Sequence, residues 1–364
     1  MTNPVEFKVY PTNHPTSDAD RKAILEAPVF GAKFTDHQVI IEYSDELGWH
    51  SPRVEAYGPI MMDPASAVFH YGQEVFEGIK AYRHKDNSIH TFRPEQNAKR
   101  LQKSAHRLAL PELPTELFIE SLRQIVLADE AWVPSPEGEK TLYLRPFEIA
   151  MESFLGVRAA TKAEYRVIAS PVGSYFPSGL KPVQIWISLD SARAGKYGTG
   201  EAKTGGNYAA SLLAQNEGKA NGCSQVLFLD AETHTYLEEL GGMNIFLVYK
   251  DGHVVTPELD GTILRGITRD SIIQLIKDRG ISIEERQVSL AELEQGYTSG
   301  EISEVFACGT AAVITPVGQF KSKHGVFGPE NPSLGGLSMS IREELLGIQF
   351  GEIEDRHNWL LRLK

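Results

Sequence analysis

The sequence predicts a mixed α and β protein of two domains, and three observations carry that prediction. The chain has 364 residues with 41% hydrophobic content, enough for two packed cores of ordinary size. Short apolar runs alternate with segments whose apolar positions recur three and four apart, and short loops link them. A stretch rich in Pro, Gly and Ser, residues 171–182, interrupts both patterns near the middle of the chain.

The elements follow in order. The first 30 residues are polar with several prolines and read as an arm. Residues 38–43 and 88–92 read as strands. Residues 94–110 read as a helix, because Pro94 suits a first turn and Ala98, Leu101, Ala105 and Leu108 share a face. Residues 116–128 form a second helix, and 142–145 and 165–170 are further strands. After the interruption come a strand at 183–188, a helix from about Tyr208 to Ala220, and strands at 225–229, 244–249 and 305–308. Residues 267–279 form a helix with Ile272, Ile273 and Ile276 inward and Gly280 as its stop. The expected division is an arm at 1–30, a small N-terminal α/β domain at 31–174, an interdomain loop at 175–182 and a large C-terminal α/β domain at 183–364.

Composition narrows the function. The formal net charge is −12 with both signs interspersed, and no long basic stretch occurs, so nucleic acid is not an expected partner. Cys223 and Cys308 lie far apart, which suggests neither a disulfide framework nor a C-x-x-C metal site, and no metal is expected. No run of about 18 apolar residues occurs and the start shows no secretory pattern, so a cytoplasmic protein is expected.

The most informative segment is Gly198-Thr199-Gly200-Glu201-Ala202-Lys203-Thr204-Gly205-Gly206-Asn207-Tyr208. Glycines let a backbone approach a ligand closely, and a lysine held there is a phosphate ligand or an amine nucleophile. The phosphate-loop pattern fails, because Glu201 occupies the position where that pattern needs lysine. Taken alone, Lys203 reads as a surface lysine. Four other features suit a phosphorylated, nitrogen-containing cofactor. Gly266-Ile267-Thr268 opens a helix whose first amides point outward toward an anion. Gly309-Thr310-Ala311-Ala312 follows an apolar strand and leaves room for a ligand at its carboxyl end. Arg100 has the reach for a bidentate phosphate contact. Glu238-Glu239 precedes a buried strand, so one carboxylate is expected in a pocket and the other in solvent. Each of these alone also fits an ordinary cap, turn, surface arginine or strand start.

Together and in this order, they resemble the branched-chain amino acid aminotransferases. The resemblance is carried by Phe69-His70-Tyr71-Gly72-Gln73-Glu74-Val75-Phe76-Glu77-Gly78, Leu142-Tyr143-Leu144-Arg145-Pro146, Tyr175-Phe176-Pro177, Lys203-Thr204-Gly205-Gly206-Asn207-Tyr208, Glu239-Leu240-Gly241-Gly242-Met243-Asn244 and Gly309-Thr310-Ala311. It implies a two-domain fold type IV, D-amino acid aminotransferase-like, with pyridoxal 5'-phosphate as cofactor. It also implies reversible amino transfer between L-leucine, L-isoleucine or L-valine and 2-oxoglutarate, and a homodimer. By the same resemblance, Lys203 is the Schiff-base lysine and proton shuttle, and Glu239 partners the pyridine nitrogen. Arg100, Ile267, Thr268 and Thr310 take the phosphate, and Tyr208 lies near the phenolic oxygen. Tyr71, Phe76, Tyr143, Val157 and Tyr175 wall the substrate pocket with Ala311, and Arg145 stands at its mouth.

Two departures stand out. Ala312 and Thr315 occupy the places of a redox-sensitive C-x-x-C found in some relatives, so that switch is not expected. Gly242 replaces a threonine that lines the pocket in others. The close alternatives are a D-amino acid aminotransferase and an aminodeoxychorismate lyase. The Lys-Thr-Gly-Gly-Asn-Tyr run and the aromatic set Phe76, Tyr143 and Tyr175 argue for the L-specific enzyme. A non-catalytic metabolite-binding protein on the same scaffold would not need the lysine.

Overall fold

A computed structural model describes residues 6–173 and 181–364. In chain order the strands are β1 Lys8–Val9, β2 His37–Ser44, β3 Gly48–Ala56, β4 Glu74–Phe76, β5 Ile79–Arg83, β6 Ile89–Phe92, β7 Thr141–Ala150, β8 Lys162–Val172, β9 Val183–Ile187, β10 Gln225–Leu229, β11 Leu237–Leu240, β12 Asn244–Tyr249, β13 Val254–Thr256, β14 Ile283–Glu285, β15 Ile302–Gly309, β16 Val313–Ser322, β17 Gly325–Phe327 and β18 Leu360–Arg362. The α-helices are α1 Asp18–Glu26, α2 Ala67–Tyr71, α3 Pro94–Arg107, α4 Thr115–Ala128, α5 Gly205–Ala220, α6 Ile267–Asp278, α7 Leu290–Ser299 and α8 Leu337–Gln349.

The chain divides into two compact units. The first is Met1–Tyr175 with Ala202–Gly205 and Gly347–Lys364, and the second is Phe176–Glu201 with Gly206–Leu346. The division departs from the one read from sequence in two places. The last 18 residues belong to the first unit, because β18 pairs antiparallel with β6. The segment carrying Lys203 also belongs to the first unit. Most of the proposed loop at 175–182 lies outside the described residues. The N-terminal arm is more than a polar tail: β1 pairs parallel with β3, the Thr12 amide donates to His37 Nε2, and Ser17 caps α1.

The first unit is built on a sheet in the order β1-β3-β2-β8-β7-β5-β6-β18, with β4 beside β7. Its longest ladder runs antiparallel from Thr141 opposite Val172 to Ala150 opposite Ala163. α3 begins with Pro94, whose fixed φ and missing amide suit a first helical turn. Ala98, Leu101 and Ala105 of α3 and Phe118, Leu122 and Ile125 of α4 form one core with Val39, Ile41, Leu142 and Leu144 of the sheet. Each large side chain buried there contributes roughly 1.5–3 kcal/mol.

The second unit has a mixed sheet in the order β11-β10-β9-β16-β15-β12-β13-β14, with β17 beside β16. β9 runs parallel to β10 and β16, whereas β12, β15 and β16 are antiparallel neighbours. α5 lies close to this sheet at Gly218, where an added Cβ would sit 3.0 Å from the Trp186 side chain. α6 ends as its sequence indicates: Gly280 takes φ +68, and Ile281 donates back to the Ile276 carbonyl.

Candidate active site

The residues singled out by sequence fall into two groups, one in each unit. In the first unit, Lys203 is pinned through its own peptide groups. Its amide donates to Ser104 Oγ at 2.9 Å, and its carbonyl accepts the Phe76 amide at 3.0 Å. The next two residues are held as well, because Glu74 Oε1 accepts from the Thr204 hydroxyl and the Gly205 amide. A Cβ on Gly205 would come within 2.7 Å of the Glu74 carboxylate, which would then have to move. That anchoring starts α5 at Gly205, three residues earlier than the apolar periodicity indicates. Lys203 Nζ lies 4.9 Å from the centroid of the Phe76 ring, and the Arg145 guanidinium lies 4.8 Å from the same ring.

Phe76, Tyr143 and Arg145 are therefore brought together. Arg145 also donates to the Tyr143 hydroxyl at 3.4 Å. Gly78 makes room for that phenol, because a Cβ there would fall 1.9 Å from its oxygen. Tyr71 and Val157 are placed differently. The Tyr71 hydroxyl donates to the Leu155 carbonyl, and both Tyr71 and Val157 are exposed, Val157 to 86%. Tyr175 lies outside the described residues.

Arg100 is buried rather than at a wet edge. Its Nε and one terminal nitrogen donate to the two oxygens of Glu77 at 2.7 and 2.8 Å. Asn97 Nδ2 adds a bond of 2.8 Å to the same carboxylate. Burial alone would raise the Glu77 pKa, but the Arg100 charge and bonds, with the Lys203 charge and Asn97, outweigh it and hold the group below the ordinary range. Sequence reasoning quoted Glu77 only as part of a motif. The usable signal was a glutamate between aromatic and glycine, with Asn97 and Arg100 one helical turn apart on α3.

In the second unit, Glu239 is 2% exposed, and its Oε1 accepts from Arg193 at 2.6 Å and from the Leu264 amide at 3.0 Å. The same Arg193 donates to the carbonyls of Gly200 and Thr262. Sequence reasoning missed Arg193, which sits in a loop with no periodicity, far from Glu239 in the chain. Glu238 differs from expectation, for it is 3% exposed instead of meeting solvent. Arg193 and Leu264 bring the 193–200 and 260–264 loops to Glu239, and both carboxyls are buried.

α6 starts at Ile267 with Gly266 as N-cap, and among the described residues no capping side chain takes up its first amides. An added Cβ on Gly266 would strike Asn244 Oδ1 at 2.0 Å, while Asn244 Nδ2 donates to the Leu264 carbonyl. Ile267 and Thr268 are half-buried, as are Thr310 and Ala311 in the turn between β15 and β16. Tyr208 lies on α5 beside Gly242: a Cβ on that glycine would rest 3.5 Å from its ring. Asn207 ties the glycine-rich loop to the helix through two bonds to Thr199. Cys308 precedes the turn and is fully buried, which pushes its thiol up to about 12. Ala312 and Thr315 are buried too, and neither carries a thiol.

These residues fit pyridoxal phosphate. An uncapped helix start and the nearby small turn suit a phosphate, and a buried carboxylate paired with arginine suits a protonated pyridine nitrogen. A lysine with both its peptide groups anchored suits a covalent carrier. Among the described residues no group of three His, Cys, Asp or Glu could hold a metal ion, and no helix is long and apolar enough to cross a membrane.

Comparison with known proteins agrees with this chemistry. The model of the amino-transferase class IV family matches residues 74–320. A branched-chain-amino-acid aminotransferase of Mycolicibacterium smegmatis is 53% identical over 365 residues, covering 100% of this chain and 99% of that protein. The Escherichia coli branched-chain amino acid aminotransferase superposes with a TM-score of 0.73 at 29% identity, covering 85% of this chain and 97% of that one. A branched-chain amino acid aminotransferase of T.th. complexed with N-(5'-phosphopyridoxyl)-L-glutamate gives a TM-score of 0.72 at 28% identity, covering 90% of this chain and 98% of that one.

Proposed function

The chain belongs to the amino-transferase class IV family, and within it we propose a branched-chain-amino-acid transaminase. It exchanges the amino group of L-leucine, L-isoleucine or L-valine with 2-oxoglutarate, giving branched 2-oxo acids and L-glutamate. The observation that carries the reading is the anchoring of Lys203, whose amide and carbonyl are both bonded while its amine lies over Phe76. Pyridoxal phosphate, when bound, supplies a ring that accepts the electrons left on the substrate α-carbon. Lys203 would hold that cofactor, and its amine would move the proton at the substrate α-carbon. Glu239, which contacts Arg193 and accepts the Leu264 amide, would partner the pyridine nitrogen and keep it charged. Ile267, Thr268 and Thr310 would take the phosphate, with Arg100 as a further candidate beside its pairing with Glu77, and Tyr208 would lie near the phenolic oxygen. Phe76 and Tyr143 would give branched side chains an apolar wall; Ala311 and Tyr175 are further candidates for it, whereas Tyr71 and Val157 are exposed in the single chain.

Glutamate needs a polar partner in the same pocket. Arg145 supplies it, since its guanidinium already spans Phe76 and Tyr143. Arg145→Ala should lose glutamate turnover about tenfold or more while keeping leucine turnover within a few-fold; equal loss for both substrates in steady-state kinetics would remove Arg145 from this role. The relative complexed with N-(5'-phosphopyridoxyl)-L-glutamate supports the choice of glutamate. We also read the enzyme as a cytoplasmic homodimer. Phe69, Leu155 and Val157 are exposed apolar side chains in the first unit, as a surface covered by a second copy would be.

The absorption spectrum of the purified protein tests the whole reading. A yellow band that bleaches with L-leucine alone and returns with 2-oxoglutarate is expected. Bleaching only with a D-amino acid would move the assignment to a D-specific relative. No band after incubation with pyridoxal phosphate would end it.

A further inference from the structure

The peptide of Lys203 belongs to a closed circuit of bonds that runs through α3 and β4. Its amide donates to Ser104 Oγ at 2.9 Å, and its carbonyl accepts the Phe76 amide at 3.0 Å. The next residue along the chain from Phe76 is Glu77. Its carboxylate accepts from Arg100 at 2.7 and 2.8 Å and from Asn97 at 2.8 Å. Asn97, Arg100 and Ser104 stand three and four residues apart on α3, so they share one face of that helix, and all three are buried. The circuit therefore passes from α3 to Lys203, on to β4, and back to α3. β4 also holds the residues after the lysine, because Glu74 Oε1 accepts from the Thr204 hydroxyl and the Gly205 amide. The links are unequal. Those to Glu77 end on a carboxylate and are charge-assisted. The Lys203 amide reaches α3 through a neutral bond to one hydroxyl, on a side chain that is fully buried.

We propose that Ser104 is a positioning residue for Lys203: by fixing the lysine's peptide against α3, it sets how fast the amine bonds to the cofactor. In that step the neutral amine adds to the aldehyde carbon of pyridoxal phosphate. A carbon–nitrogen double bond forms, and the two amine protons leave with the aldehyde oxygen as water. Ser104 takes no part in this exchange of atoms. It acts through the backbone, by holding the base of a long side chain whose tip must meet the aldehyde carbon in line. Glu77, Asn97 and Arg100 serve the same end from the far side of the circuit, since they hold β4, and so Phe76, to α3. The inference rests on the reading of Lys203 as the residue that carries the cofactor.

The test mixes apo-protein with pyridoxal phosphate and follows the growth of the yellow band for wild type, Ser104→Ala, Ser104→Thr and Ser121→Ala. Ser121 is the control, an equally buried serine on α4 that bonds the Phe118 carbonyl at 2.6 Å and the Tyr165 hydroxyl at 2.9 Å. It reports what the loss of a buried hydroxyl does to the fold alone. Ser104→Ala should form the band about tenfold more slowly, between the effect of one lost neutral hydrogen bond and that of a misplaced reacting atom. Ser104→Thr keeps the acceptor and should stay within about threefold of wild type, as should Ser121→Ala. In the apo-protein, amide hydrogen exchange over residues 202–205 should speed up in Ser104→Ala and not in Ser121→Ala. A Ser104→Ala rate equal to wild type, or an equal slowing in Ser104→Ala and Ser121→Ala, overturns the role of Ser104. Borohydride reduction of the yellow wild-type protein, followed by peptide mapping, separates the two readings. If the label lies on another lysine, the reading of Lys203 fails and the inference with it. If it lies on Lys203 while Ser104→Ala matches its control, only the role of Ser104 fails.

Discussion

Each unit buries a glutamate–arginine pair, and the two pairs are finished differently. In the first unit, Glu77 has both oxygens taken by Arg100 and a further bond from Asn97, so the network is complete. In the second, Arg193 is divided between Glu239, two carbonyls and the field of Glu238, which is left without a hydrogen bond among the described residues. A completed network fixes geometry across all ordinary pH. An incomplete one leaves a group that titrates near neutrality. Low local dielectric strengthens the first and makes the second responsive.

Four substitutions break or sharpen this contrast. The largest effect belongs to Lys203, whose charge acts on Glu77 of the first network. Lys203→Ala removes the amine and should lower kcat by about 10⁴-fold or more, with loss of the yellow band; a variant that keeps the band would show that another amine carries the cofactor. Next comes the completed pair itself. Glu77→Gln leaves Arg100 buried without its counter-charge and should destabilise the protein by about 3–5 kcal/mol in urea unfolding. Because the Glu77 pKa is depressed on folding, its contribution is present above the unfolded value and is lost as pH falls through the folded one. The difference between wild type and variant should therefore shrink in acid; a difference independent of pH would count against the ion pair.

The opposite sign is expected at Glu148. This residue is fully buried on β7, opposite Val75 of β4 and Tyr165 of β8, and neither oxygen is hydrogen-bonded among the described residues. Burial raises its pKa well above the ordinary value, so stability is complete below the unfolded pKa and is lost as pH rises toward the folded one. Glu148→Gln should leave stability nearly unchanged at about pH 5 and increase it at about pH 8 by about 1–2 kcal/mol, read as a rise in Tm at the higher pH alone. A Tm that falls equally at both pH values would show that the carboxyl has a partner. The smallest change is Gly242→Ala. The new methyl meets the Tyr208 ring at an ordinary contact distance, so the protein should fold with less than about 1 kcal/mol of change. The ratio of kcat/KM for leucine to that for valine should shift a few-fold; an unchanged ratio would place Gly242 away from the substrate.

The candidate residues Lys203, Glu239 and Thr268 stood out in the sequence because each lies in a run that carries the family resemblance; alone, each run also fits an ordinary loop, strand start or helix cap. Locality explains the agreement on elements. Asn244–Tyr249 and Gln225–Leu229 are strands with the bounds that their apolar runs indicate, and Pro94 opens α3. Expectation and structure part where a contact bridges distant segments. α5 begins three residues early because Glu74, far back in the chain, takes the Thr204 hydroxyl and the Gly205 amide. Glu238 is buried where solvent was expected.

The sequence by itself determined the alternation of strands and helices, since periodicity and residue type are local properties, and the kind of chemistry through the order of motifs that resembles one family. Only the tertiary structure decided that Arg193 serves Glu239, that Glu77 holds Arg100, that Gly78 makes room for Tyr143, and that the C-terminal strand β18 joins the first sheet. Those pairings join residues from about 20 to 270 positions apart in the chain. They are settled by which buried charges find partners and which sheet edges are still open, and neither is written in any local run of residues.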